Sequence, residues 1–183
     1  MGVFQFLLPT VISNIIKAIK TTGGGRFLTD IGLCGDDGNP SSVNTLECKA
    51  VLDEADKHFE SWTYWDGYFI DDAGNPNQNQ VQSFIRPYPQ STNGRFLKPH
   101  FNHKTGEYSF PFITNQTRNQ YIEKQNLTAE IYMPLSVHYP NGHSIHMNPN
   151  NLTTEMKGNT LSIYLQTDLR NEPVLVEMEI VRK

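Results

Sequence analysis

The stretch Gly25-Arg26-Phe27-Leu28-Thr29-Asp30-Ile31-Gly32 decides how the first half of the chain reads. Its apolar run follows the breaker Gly23-Gly24-Gly25 and ends in polar sequence just past Asp30, as a short buried strand does. Upstream, Val3, Phe6, Leu7, Val11, Ile15 and Ile19 recur at helical spacing, so an amphipathic helix is expected to about Thr22. Pro9 is expected to kink or shorten it. Downstream, a polar loop over 32–45 leads to a helix over Leu46–His58, with Leu46, Ala50, Val51, Leu52 and Ala55 on its apolar side. Trp62-Thr63-Tyr64-Trp65 then reads as a second strand, and 66–80 as a second polar loop. Helix and strand in alternation predict two β/α units with parallel strands.

The pattern changes near Arg86-Pro87-Tyr88-Pro89, where helical periodicity stops. Short alternating runs replace it: Tyr108–Phe110, Thr128–Tyr132, Thr160–Leu165 and Val174–Ile180, separated by Asn-, Gly- and Pro-containing turns. That is the signature of a β-sandwich. The expected fold is therefore α/β followed by all-β, with domains at 1–88 and 89–183.

At 183 residues and 20.9 kDa the chain can bury a core, yet it is shorter than the roughly 200 residues that a whole (β/α)8 barrel needs. The net charge of −4 and the absence of a basic run exclude a nucleic-acid footprint. Met1–Ile19 lacks the basic start and small-residue cleavage site of a signal peptide, and it is too short and too polar to span a membrane. Cys34 and Cys48 could close a disulfide over a polar loop. Sequons stand at Asn115, Asn126 and Asn151. Together these features point to a secreted or lysosomal protein.

Several residues could carry chemistry. Asp30 ends a strand of the kind whose C-terminal edge holds catalytic groups in barrel folds; from position alone it could equally cap the following loop. Trp65, Trp62 and Tyr64 could form a sugar platform, because sugar C–H faces stack on aromatic rings. Trp62 and Tyr64 are assigned to opposite faces of their strand, one of them in the core. His138, His143 and His146 match no helical zinc pattern and read as exposed hairpin histidines, so no metal is expected. Asp36-Asp37-Gly38-Asn39-Pro40 and Asp71-Asp72-Ala73-Gly74-Asn75-Pro76 lack the ligand spacing of a calcium loop and read as turns. Gly23–Gly25 lack the Lys-Ser/Thr that would make a phosphate loop. No cofactor is implied.

Four motifs in order carry a resemblance. Gly25–Gly32 is similar to the "FLTEFG" segment of endoglycoceramidase-like enzymes of glycoside hydrolase family 5. Leu46-Glu47-Cys48 to His58 and Ser61-Trp62-Thr63-Tyr64-Trp65-Asp66 resemble the helix and eighth strand that follow there. Arg86-Pro87-Tyr88-Pro89-Gln90 resembles the "RPYPQ" that leads into that family's C-terminal β domain. The resemblance implies the last two units of a TIM (β/α)8 barrel, incomplete here, followed by a β-sandwich. It implies a retaining hydrolase of glycosphingolipid-like β-glycosides, with Asp30 at the nucleophile position and Trp65 lining the adjacent sugar subsite.

Two departures from the family pattern stand out. The family has Glu where this chain has Asp30, and Asp is one methylene shorter. The family's acid/base Glu lies in an Asn-Glu-Pro motif well before the nucleophile, and no such motif precedes residue 30. The later Asn171-Glu172-Pro173 sits between two alternating runs and reads as a turn. The isolated chain is therefore expected to be inactive, its barrel completed by a missing half from a longer chain. The alternative is a non-catalytic carbohydrate- or glycolipid-binding module.

Overall fold

The computed structural model describes residues 4–31, 37, 39, 41–65, 69–77, 84–114, 127–165 and 173–183. The chain divides into two compact units, Met1–Ile85 and Arg86–Lys183.

The first unit holds two helix–strand pairs. Helix α1 spans Phe4–Thr22 with Pro9 inside it, so the expected shortening does not occur. Pro9 lies in the second turn, where its missing N–H costs one bond, to the Gln5 carbonyl. The expected inward stripe is also corrected. Leu7, Val11 and Ile15 are exposed, and Ile12 is the residue sequestered. A stripe buries only against a neighbour, and α1 packs on the single helix α2.

Helix α2 (Val43–His58) starts earlier than its apolar spacing suggests. Ser42 caps it by accepting the Thr45 N–H at 3.1 Å. Its buried face is Thr45, Cys48, Leu52 and Ala55, whereas Leu46 is exposed. Phe59, left-handed at φ 54°, ends it; its backbone N–H and that of Glu60 bond back to Asp56 and Ala55. Strands β1 (Phe27–Ile31) and β2 (Ser61–Tyr64) pair in parallel, as the helix–strand alternation predicts.

The second unit is antiparallel throughout its described pairings. Its strands are β3 (Tyr88–Thr92), β4 (Gly94–Phe96), β5 (His100–Asn102), β6 (Glu107–Ser109), β7 (Phe112–Thr114), β8 (Leu127–Tyr132), β9 (His143–Asn148), β10 (Leu152–Lys157), β11 (Thr160–Leu165) and β12 (Leu175–Arg182). One sheet runs β10-β11-β8-β3. The other runs β4-β7-β12-β6-β5, with β9 on the far side of β12. Val176, Met178 and Ile180 alternate inward along β12, and Leu161, Ile163 and Leu165 along β11. They meet Phe101, Tyr108, Phe110, Phe112 and Ile131 in one core. Side chains of this size each contribute about 1.5–3 kcal/mol on burial. Two sheets sharing one apolar core between them form the sandwich that the alternating runs predict.

The histidine segment corrects its reading as a hairpin. His138 ends a one-turn helix α3 (Leu135–His138) and is buried, edge-on to Phe101 with ring centroids 4.9 Å apart. His143 and His146 lie on β9.

Candidate functional site

The parallel ladder of the first unit is irregular at one point. Phe27 pairs with Ser61 and Leu28 with Trp62, but the next pair is Ile31 with Tyr64. Thr29 and Asp30 together face Thr63 alone, so β1 carries one extra residue, a bulge. Asp30 sits in that bulge at φ 59°, a left-handed conformation for a residue with a side chain. Asp enters that region more easily than most residues, and such positions cluster at functional sites. The Asp30 side chain is exposed.

Trp65 follows β2 directly, and its backbone N–H donates to the Ile31 carbonyl at 3.1 Å. Asp30 and Trp65 thus stand at the same C-terminal edge of two neighbouring parallel strands. Trp65 is 65% exposed, with its indole free to receive a ligand face. An exposed carboxylate and an exposed aromatic ring at one strand edge are groups that can hold a sugar, the ring by stacking and the carboxylate by accepting hydrogen bonds from hydroxyls.

Trp62 and Tyr64 do not lie on opposite faces. Both are half-buried, and both pack on Phe84, at 6.1 Å and 4.6 Å between ring centroids. Phe69 closes the cluster, 4.8 Å from Tyr64 and 5.3 Å from Phe84. Residues two apart along a strand share a face. Trp62 and Tyr64 are thus packed beneath the edge, and Trp65 is the aromatic residue that projects from it. Phe69 and Phe84 lie in sequence that reads as polar loop and linker, so nothing but their own hydrophobicity pointed to them.

The acidic turns act as turns. Asp37 accepts the Asn39 N–H at 2.9 Å and the Ser42 hydroxyl at 2.8 Å, tying the loop to the start of α2. Those bonds, the Asn39 N–H foremost, hold its carboxyl below the usual range. Asp71 accepts the N–H groups of Ala73 and Asn75, and the Asn75 bond lowers its carboxyl in the same way. Among the described residues no group of His, Cys, Asp and Glu could hold a metal ion.

Cys48 is fully buried and disulfide-bonded; Cys34 lies outside the described residues. So do Asn115, Asn126, Asn171 and Glu172. Asn151 is described and half-buried, just before β10 at the margin of its sheet. No helix among the described residues is long and apolar enough to cross a membrane.

No curated protein sequence matches the chain. Among solved structures, endo-glycoceramidase II from Rhodococcus sp., in its complex with a cellobiose-like isofagomine, superposes with a TM-score of 0.68 at 15% identity, over 100% of this chain and 39% of its own. Sterylglucosidase 1 of Cryptococcus neoformans superposes with a TM-score of 0.60 at 17% identity, over 80% of this chain and 25% of its own. The chain spans well under half the length of either, and at such identities the likeness is one of fold. The sequence itself carries the family: residues 86–177, half of the chain, match the glycoside hydrolase family 5 C-terminal domain. The match opens at Arg86, where the second compact unit also opens. The antiparallel unit is that domain, and the chain belongs to glycoside hydrolase family 5.

Proposed function

We propose that this chain is the C-terminal portion of a retaining glycoside hydrolase acting on glycosphingolipid-like β-glycosides. In this reading the first unit is the last part of a (β/α)8 barrel, and it supplies the nucleophile Asp30 and the sugar-stacking Trp65. The observation that carries it is the bulged, left-handed Asp30 beside Trp65 at one strand edge. The parallel pairing of β1 with β2 and the superposition on an endo-glycoceramidase along the whole chain support it.

The bulge also bears on the shorter side chain. Asp reaches roughly 1 Å less far than Glu, and an error of that size can cost about 10²-fold. An extra backbone residue re-aims the side chain and offsets part of the missing methylene. Attack by Asp30 on the anomeric carbon would form a glycosyl–enzyme ester while a second carboxylic acid protonates the leaving oxygen. Water would then hydrolyse the ester with that second group as base. The second carboxyl comes from outside these 183 residues, so the isolated chain is inactive. Secretion or lysosomal routing fits the disulfide at Cys48.

The alternative, a non-catalytic carbohydrate- or glycolipid-binding module, draws its support from the Asp in place of Glu. A fluorescent glycosphingolipid separates the two. The isolated chain should release no oligosaccharide. A longer product of the same gene, bearing an upstream Asn-Glu-Pro, should release it and lose that activity with Asp30→Asn. Full activity of that variant would overturn the nucleophile assignment. Turnover by the isolated chain would overturn the need for an upstream acid.

A further inference from the structure

Strand β12 is bordered on one side by β9 and on the other by two strands in succession, β7 at its start and β6 near its end. Between β6 and β7 the chain holds to β12 by one bond, from the Phe110 N–H to the Met178 carbonyl at 2.9 Å. Over this interruption lies a shallow cleft of about 470 Å³. Such a volume falls within the range of small-molecule sites, roughly 300–1,000 Å³.

Its lining follows from the inward alternation of β12. With Val176, Met178 and Ile180 turned to the core, Glu177 and Glu179 face outward. Register puts Ser109 and His146 on either side of Glu179, and Asn148 opposite Glu177. The Asn148 side-chain amide donates to the Glu177 carboxylate at 3.1 Å, fixing that acceptor in place. Pro111 and Lys98 complete the wall with a ring and an alkyl stem.

We propose that this cleft binds a neutral oligosaccharide, as a second sugar site separate from the Asp30–Trp65 edge. Carboxylates, amide, imidazole and hydroxyl converge there from adjacent strands and offer both acceptors and donors. A sugar ring presents both kinds of group around its rim and C–H faces for Pro111. Glu177 and Glu179 are two residues apart, roughly 7 Å along the strand, so hydroxyls at opposite ends of one ring or on neighbouring rings can reach one each. The amide, imidazole and hydroxyl groups beside the carboxylates recognise hydroxyls rather than charge, which suits a neutral ligand. The inference extends the carbohydrate-binding reading but does not depend on catalysis by Asp30.

The test is a titration of the ¹⁵N-labelled full chain with cellotetraose, followed by amide chemical shifts. The expected result is saturable shifts at 146–148 and 177–179 with millimolar affinity. Glu177→Gln with Glu179→Gln should weaken it roughly tenfold, as loss of bonds to charged groups does. Trp65→Ala should leave these shifts unchanged. If the paired change disturbs the fold, as its own spectrum would show, His146→Ala on the neighbouring strand should still weaken the same shifts. Absence of shifts in the cleft at saturating sugar, or their loss in Trp65→Ala alone, would overturn the proposal. Glycolipid cleavage by the longer gene product is read separately, so failure of one idea does not decide the other.

Discussion

Arg26 and Glu60 form an ion pair just ahead of the two parallel strands: the Arg26 Nε lies 2.7 Å from a Glu60 carboxylate oxygen whose side chain is 2% exposed. The contact is one of charge rather than an aligned hydrogen bond, since neither Glu60 oxygen has a hydrogen-bond partner. The same guanidinium donates to the His58 carbonyl at 2.8 Å, so one side chain ties β1 to the end of α2 and the start of β2. Removing it strands a buried carboxylate. Arg26→Ala should lower the stability of the first unit by about 3 kcal/mol, the scale of breaking a buried pair. Urea denaturation followed by Trp62 and Trp65 fluorescence would measure it, and a change within error would show that water reaches Glu60.

Asp30 sets stability against function. Its left-handed backbone favours glycine, so Asp30→Gly should raise stability by up to about 1 kcal/mol, whereas Asp30→Val should lower it by about 1–2 kcal/mol. Thermal melts of the two variants would check the order. The reverse order would mean that β1 has no bulge there.

Gly94 makes the tightest backbone approach among the described glycines of the second unit. At φ 155° it pairs with Thr114, and a Cβ would drive into the Ile113 carbonyl. Gly94→Ala should cost about 2–4 kcal/mol, because the obstruction is backbone and cannot swing aside. Loss of the dispersed amide spectrum of residues 94–114 is the expected sign. An unchanged spectrum would mean that β4 can slide on β7.

His143 gives the second unit a pH dependence. Burial first, and then the nearby positive charge of Lys183, hold its imidazole below the ordinary 6.5. The unfolded chain therefore binds a proton more readily than the folded one, and stability falls as pH drops from about 6.5 through the folded value. His143→Gln should flatten that slope. Urea midpoints at neutral and mildly acidic pH would check it, and equal slopes would assign the effect to another group.

The elements with a full period were legible in the sequence. β11 and β12 alternate over six and eight residues, and α2 shows two turns of apolar spacing, so pattern alone placed them. β4, β5 and β7 have three residues each, too few for any period, and β7 pairs with strands well removed from it in sequence. The helix at Leu135–His138 is one turn and leaves no spacing signal at all. At the site, the positions of Asp30 and Trp65 at the ends of two neighbouring strands were legible from the helix–strand alternation. The bulge was not, because it arises from the mismatch between two strands rather than from either alone. The packing of Trp62 and Tyr64 on Phe84 needed the tertiary fold. Leu7, Val11 and Ile15 show the opposite case, a sequence pattern for burial with no burial to match it.

Strand β12 is the seam of the second unit, joined to β6, β7 and β9, all of which precede it along the chain. On the ribosome those three strands emerge first and must wait, with Phe110, Phe112 and Met147 uncovered, until residues 175–182 leave the exit tunnel. Pairing over so long a sequence separation is slow as well as late. Until then the apolar faces of the earlier strands stay open, so a chain halted before residue 175 would present an incomplete, adhesive sheet.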